Sequence, residues 1–252
     1  MYQFFVEESQ IHTQEHRVLI TGSDVNHIKN VLRMRPGEEI SVSNGRDGRD
    51  YRCGILELTE DVVICELRFI RESSNELPVE VTLYQGLPKS DKLELIIQKC
   101  VELGVTRIVP VQTKRCIMKL DPKKEESKRA RWQGIAEAAA KQSKRGIIPV
   151  VERQETFAHA LEESRQLDLV LIPYELAEGM ERTRALLGSV KPGMRIGIFI
   201  GPEGGFEEEE IRLAEASGAQ PITLGKRILR TETAGMVVLG WLGYLTEGLG
   251  QE

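Results

Sequence analysis

Long hydrophobic runs are missing from these 252 residues, and the start, Met1-Tyr2-Gln3-Phe4-Phe5-Val6-Glu7-Glu8, has no basic region followed by an apolar stretch. A membrane-spanning helix needs about 20 consecutive apolar residues, and a secretory leader needs a charged head before an apolar one. The chain is therefore expected to be cytoplasmic, with no membrane partner. Cysteine is scarce: Cys53, Cys65, Cys100 and Cys116 are scattered with no C-x-x-C pair. Free buried thiols in a reducing compartment are expected, and no zinc site. No metal constellation, internal repeat or low-complexity tract is visible. What is present, 40% hydrophobic and 29% charged residues, is ordinary for a globular protein of one or two domains.

Two rhythms divide the chain. Residues 1–70 alternate at short period, as in Arg17–Ile20, Glu39–Ser43 and Asp61–Cys65, with turn signals at Pro36-Gly37 and Asn44–Gly48. Short strands joined by such turns predict a small β-barrel or sandwich. One helical segment, Ser23–Leu32, interrupts it. A polar stretch ending at Pro78 reads as a linker, giving expected boundaries of 1–72, a linker over 73–78, and a second domain over 79–252. From Val79 strands and helices alternate, which predicts a parallel sheet with helices on both faces. Strands are expected at 79–87, 105–111, 168–172, 195–200 and 221–224. Helices are expected at 91–103, 122–142, 156–165, 181–189, 207–217 and 231–246.

Two segments carry the most chemical information, Phe199-Ile200-Gly201-Pro202-Glu203-Gly204-Gly205-Phe206 and Leu224-Gly225-Lys226-Arg227-Ile228-Leu229-Arg230-Thr231-Glu232-Thr233-Ala234. Each is a glycine-bearing loop after a short apolar run, where a buried strand ends. Ligands of open α/β sheets bind outside the carboxyl ends of the strands, and glycine lets backbone approach a ligand closely. Neither loop has the Gly-Lys-Ser/Thr ending of a P-loop, neither is G-x-G-x-x-G, and Glu203 would repel a phosphate. A neutral or cationic ligand fits better. The plainer reading of Gly204-Gly205 is a turn before the acidic helix start Glu207–Glu210, where carboxylates suit the helix dipole.

Net charge is −5, yet residues 112–145 hold eleven Lys or Arg against four Asp or Glu. A local basic patch counts for more in phosphate binding than global charge does. A solvated, ion-paired helix face is the alternative.

These segments together resemble the SPOUT-class RNA methyltransferases, and among them the family that methylates uracil N3 in small-subunit (16S) ribosomal RNA. The resemblance runs through the whole chain. It rests on His27–Gly37, Lys89–Glu94, Lys99–Pro110, Glu137–Arg145, Ile200–Phe206 and Leu224–Ala234, in order and at compatible spacing. Cys116 departs from the pattern, which has serine after Arg115. The resemblance implies an N-terminal PUA-like β-barrel, a C-terminal parallel-sheet α/β domain with a deep trefoil knot, S-adenosyl-L-methionine as methyl donor, and a homodimer. General topology rules alone would argue against a knot. Other readings in the same frame are a non-catalytic RNA-binding or ribosome-assembly factor, and an enzyme that methylates another RNA position. The intact Arg230–Thr233 segment favours catalysis.

Backbone at Leu224, Gly225, Ile228 and Leu229 is expected to meet adenine, with Ile200 and Gly201 beneath the ribose. Gly204, Thr231, Leu171, Tyr174 and Glu175 complete the expected cofactor contacts; Tyr174 and Glu175 could equally be a simple strand exit. Uracil N3 is a poor nucleophile until its proton leaves and charge spreads onto O2 and O4. A guanidinium beside those oxygens would stabilise the charge, and Arg230 is the candidate, a salt bridge to Glu203 or Glu232 being its alternative. Arg33, Arg35, Lys89, Arg115, Lys141, Lys144 and Arg145 are expected to hold RNA phosphates. None of the four histidines stands out as a general base.

Overall fold

The computed structural model describes residues 1–247 apart from 74, 119, 176 and 178. Ser74 of the expected linker and residues 248–252 of the expected second domain thus lie outside the described residues. The chain divides into two compact units, Met1–Glu76 with Ala140–Ile148, and Leu77–Ala139 with Pro149–Glu252.

In the first unit, strands β1 (Gln3–Phe5), β2 (Ile11–His12), β3 (Arg17–Thr21), β4 (Glu39–Ser43), β5 (Arg49–Leu58) and β6 (Val62–Glu72) form a curled sheet in the order β1-β4-β5-β6-β3-β2. Neighbours are antiparallel except β1, which runs parallel to β4. Alternation decides which side is inside: Val18 and Ile20 are buried between exposed Arg17 and Thr21. With Ile28, Ile40, Val42, Ile55 and Val63 they form a single core. The β4–β5 turn is built by Asn44, whose Oδ1 accepts from the amides of Arg46 (2.9 Å) and Asp47 (3.0 Å), as Asx turns do. The helix expected from Ser23 begins as α1 (Ser23–Asn26), then widens into a π-helical turn over His27–Val31. His27 lies edge-on to the Phe4 ring at 6.4 Å.

The second unit alternates strand and helix as expected. Its elements are β7 (Glu80–Gly86), α2 (Lys92–Glu102), β8 (Arg107–Gln112), α3 (Pro122–Gln142), β9 (Val150–Val151), β10 (Glu155–Thr156), α4 (Phe157–Ser164), β11 (Leu169–Pro173), α5 (Met180–Gly188), β12 (Arg195–Ile200), α6 (Glu208–Ala216), β13 (Gln220–Ile222) and α7 (Thr231–Thr246). Every pairing is parallel, in the order β10-β8-β7-β12-β11-β13 with β9 beside β8. Strands β9 and β10, two residues each, were not expected, because so short a strand has no period to read.

Period-2 alternation assigns the faces of the sheet. Tyr84, Val109, Val170 and Phe199 pack with Phe157 and Leu161 of α4 and Ile211 and Ala214 of α6. Tyr84 stacks on Phe199 at 4.4 Å. The alternate residues face the other way: a Cβ at Gly235 of α7 would lie 3.6 Å from Leu83 and 3.7 Å from Ile200. Helix α2 lies against α7 and buries Leu93, Ile96, Ile97, Cys100 and Val101 at the predicted helical spacing. Each fully buried aliphatic side chain stabilises by roughly 1.5–3 kcal/mol, so the sheet is held rigidly. Its carboxyl ends carry the loops of interest.

Candidate functional site

Loops leaving β11, β12 and β13 enclose a cavity of about 420 Å³, a size usual for small-molecule sites. The loop after β12 is fixed at both ends. Phe206 packs on Phe157 at 5.5 Å, and Glu207 caps α6 reciprocally with Glu210, whose Oε2 accepts from the Glu207 amide at 2.9 Å. Arg115 reaches the same loop, donating from Nε to Glu207 (2.8 Å) and from Nη1 to the Gly204 carbonyl (2.6 Å). The Arg115 hydrogen bond, outweighing burial, holds the Glu207 carboxyl below the ordinary carboxylate range.

The two glycine loops meet through Thr231. Its hydroxyl donates to the Gly201 carbonyl at 2.6 Å and accepts from Gln85 Nε2 at 2.9 Å. Gln85, at the end of β7, is completely buried. Gly201 needs its hydrogen side chain for the loop itself: a Cβ would come within 3.0 Å of Gly205 backbone. Gly225 has φ +101° with open space around it, so there backbone conformation selects glycine.

One wall of the cavity is ionic. Lys92 Nζ, from the first turn of α2, lies 3.0 Å from Glu203 and 3.6 Å from Glu232 Oε2. Glu203 also accepts from the Lys89 amide at 3.1 Å. Burial pushes the Glu203 carboxyl up, but its own backbone amide, Lys92 and the Lys89 amide together hold it below the ordinary value. Glu232 differs: its Oε2 is buried and accepts no hydrogen bond. Arg230 precedes α7, and its carbonyl accepts from the amides of Thr233 (2.9 Å) and Ala234 (3.0 Å). Its side chain lies on the cavity wall, is exposed, and has no ion pair among the described residues. The carboxylates that could have claimed it are taken by Lys92.

Of the residues anticipated around a cofactor, Tyr174, Glu175, Ile200, Gly201, Gly204, Leu224, Gly225, Ile228, Leu229 and Thr231 all line this cavity. Leu171 does not. It is fully buried in mid-strand, paired with Ile198 and Gln220, and the rim residue of that strand is Pro173. Glu232, considered only as an ion-pair partner of Arg230, lines the cavity too, as does Lys92. Both stand inside recognisable segments, but only folding brings α2 against the start of α7.

The anticipated RNA-binding cations disperse. Arg145 is 1% exposed and bound to Glu76, Nε at 3.0 Å and Nη2 at 2.5 Å, so it is a structural residue of the first unit with no reach to solvent. Lys141 pairs with Asp24 at 2.7 Å and sits over the Phe4 ring, and Arg115 is engaged with Glu207. Lys89, Arg33, Arg35 and Lys144 are exposed. Lys144 also lines a second concavity, of about 250 Å³ in the first unit, with Arg49, Arg52 and Arg71 around a single carboxylate, Asp50. Asp50 is occupied by Arg71 (2.9 Å), Arg52 (2.8 Å) and the Ser41 hydroxyl (2.5 Å). Arg49 has one distant pairing, with Glu72 at 4.0 Å. This cationic excess joins β5, β6 and the segment after α3, so no window of sequence contains it.

No helix among the described residues is long and apolar enough to cross a membrane, and none of their His, Cys, Asp or Glu form a metal-holding group.

Comparison with known proteins agrees with this architecture. Residues 75–243 match the model of an RNA methyltransferase domain, and residues 20–67 that of an RNA methyltransferase PUA domain. Ribosomal RNA small subunit methyltransferase E of Bacillus subtilis is 38% identical, over 98% of each chain. The Synechocystis protein of that name is 34% identical over 98% of this chain and 78% of its own. The crystal structure of ribosomal RNA small subunit methyltransferase E from Neisseria gonorrhoeae, bound to S-adenosyl methionine, superposes with a TM-score of 0.81 at 34% identity over 98% of both chains.

Proposed function

This chain belongs to the ribosomal RNA small subunit methyltransferase E family, and we propose that it methylates N3 of a uracil in 16S ribosomal RNA. It is an S-adenosylmethionine-dependent rRNA methyltransferase of SPOUT fold, with a PUA-like first domain. The observation that carries the finer reading is the free Arg230 guanidinium on the wall of the glycine-loop cavity.

The cavity suits the methyl donor on its own evidence. It has room for a nucleoside with an amino-acid tail, two loops of approachable backbone, and carboxylates compatible with a sulfonium, without a phosphate-binding lysine loop. Leu224, Gly225, Ile228 and Leu229 would hold the adenine, and Ile200 and Gly201 the ribose. S-adenosylmethionine supplies an electrophilic methyl group. Arg230 faces the uracil and neutralises charge that grows on O2 and O4 as the N3 proton leaves, which is the preorganised electrostatic help that lowers such barriers most. The loop fixed by Phe206, Arg115 and Thr231 keeps these groups in place before substrate arrives, so positioning contributes as well.

RNA is held through phosphates by Arg33, Arg35, Lys89 and Lys144, together with Arg49 of the basic concavity. Arg145 leaves this group because it is buried, and Lys141 and Arg115 are secondary because each already has a carboxylate partner. The target base is presented unpaired or flipped out of its stack. The division at residues 1–72, 73–78 and 79–252, the deep trefoil knot, and a homodimer belong to the same reading. For the dimer, the support is apolar surface at two packed helices: Leu95 on α2, Leu103 just after it, and Tyr244, 86% exposed, on α7. Such apolar patches on a folded surface mark interaction sites.

Nucleoside mass spectrometry of ribosomal RNA tests this reading. Cells lacking the protein should lose N3-methyluridine from 16S RNA and regain it on complementation. Unchanged N3-methyluridine contradicts the assignment.

A further inference from the structure

Proton removal from N3 needs an acceptor, and the histidines do not supply one at this cavity: none of the four is among the side chains lining it. The cavity wall does hold a carboxylate, Glu232, whose Oε2 has the Lys92 ammonium 3.6 Å away as its ion-pair partner. Glu232 Oε2 is buried with no hydrogen bond to any group of the protein. A carboxylate oxygen that takes no hydrogen bond keeps lone pairs able to accept one from a ligand N–H. Uracil N3–H is such a donor.

The surroundings keep this carboxylate in position. Lys92 approaches from α2, and Glu203, from the loop after β12, shares the same ammonium. Glu232 itself stands in the first turn of α7, where the helix dipole favours an anion. The other charged groups lining the cavity are Glu175, Lys226, Arg227 and Arg230. Both carboxylates face Lys92, but Glu203 is the poorer acceptor, because it also takes hydrogen bonds from the Lys89 amide and lies nearer the ammonium, 3.0 Å against 3.6 Å.

We propose that Glu232 is the general base of this site, its carboxylate taking the N3 proton of the target uracil. The inference rests on the uracil-N3 reading above. As the proton moves to Glu232, the N3 electron pair forms the N–CH3 bond. The pair of the breaking carbon–sulfur bond stays on sulfur, leaving a neutral thioether. Arg230 carries the charge on O2 and O4 during the transfer, and the carboxylic acid returns its proton to water after product leaves. Base and electrophilic guanidinium thus stand two residues apart, on the one loop-to-helix junction that Thr231 ties to Gly201 and Gln85.

The test is single-turnover methyl transfer by the full-length protein, wild type and Glu232→Gln, on two RNAs. One carries uridine at the methylated position and the other 5-fluorouridine, whose N3 proton is more acidic. Calorimetric titration with S-adenosylmethionine and circular dichroism accompany each variant. Glu232→Gln should slow transfer to uridine about 100-fold or more, the usual range for a general base. Its defect should shrink at least several-fold on the fluorinated RNA, and again as pH is raised, with cofactor affinity little changed. Glu232→Asp, which keeps a carboxylate, should recover part of the rate. An equal defect on both RNAs at every pH overturns the proposal. So does a loss that tracks weakened cofactor binding or a lost fold, with no recovery in Glu232→Asp, which would make Glu232 a cofactor-binding or structural residue. If the wild type yields no N3-methyluridine, the underlying reading fails first, and that is seen before any variant is compared.

Discussion

Arg230 gives its backbone to the fold and leaves its side chain to the cavity. Its carbonyl starts α7, while the guanidinium is exposed and unpaired because Lys92 occupies both neighbouring carboxylates. Arg230→Lys keeps the charge but loses the planar fork. Turnover should fall by roughly 100-fold, the scale seen when one oxyanion-type donor is removed, while cofactor and RNA affinity change little, as expected of an interaction made in the transition state. Single-turnover kinetics beside binding titrations check this, and a defect confined to cofactor affinity would return Arg230 to the loop. The glycines act differently from one another. Gly225→Ala forces a side chain into φ +101°, which should destabilise by roughly 1 kcal/mol or more, measurable by urea denaturation. Gly201→Ala drives a Cβ against Gly205 backbone, so weakened cofactor binding should come with a displaced loop. Much of the site was readable at this scale, since both glycine loops and Arg230 lie in contiguous sequence. The pairing of Lys92 with Glu203 and Glu232 was not, because partnership between α2 and α7 is a product of folding. Leu171 was misplaced for a simple reason: a strand's rim is set by where the strand ends, which sequence locates only to within a few residues.

At the scale of elements, helix α6 and the loop before it form one device. Glu207 caps the helix and receives Arg115, which in turn grips the Gly204 carbonyl. Glu207→Ala removes a cap and a loop anchor together, and should lower the thermal midpoint by a few degrees and weaken cofactor binding. The sign of its pH dependence follows from the lowered carboxyl pKa. The stabilisation is fully present above the ordinary carboxylate value of 4.5, and is lost as pH falls through the lowered folded value. Thermal melts across acidic pH should therefore show wild type and variant converging only at the acid end, and a constant gap would contradict this role. Strand–helix alternation in the second unit was legible because buried parallel strands and amphipathic helices have distinct periods. The π-helical turn at His27–Val31 was not legible, nor were β9 and β10, since a widened turn keeps its apolar spacing and a two-residue strand has no spacing at all. Residues 140–148 pack with the first unit, so the basic stretch that is continuous in sequence is divided between units, a division no linear pattern marks.

At the scale of the whole molecule, a chain of net charge −5 binds a polyanion only if its cations are gathered locally. The concavity of Arg49, Arg71 and Lys144 around Asp50 is such a gathering. Replacing Arg49 and Lys144 with alanine should weaken RNA binding and reduce the slope of log affinity against log salt by about one unit for each phosphate no longer neutralised, with cofactor affinity unchanged. Equal slopes for variant and wild type would remove the concavity from the RNA path. Methyl transfer to uracil N3 of small-subunit ribosomal RNA is the central claim, and reconstitution tests it most directly. Purified protein, S-adenosylmethionine with an isotopically labelled methyl group, and small-subunit ribosomal RNA, free or within the subunit, are incubated, and the RNA is digested to nucleosides for mass spectrometry. Label should appear in N3-methyluridine at one site. Label in a ribose-methylated nucleoside or in another base, or no label with either RNA, would contradict the claim.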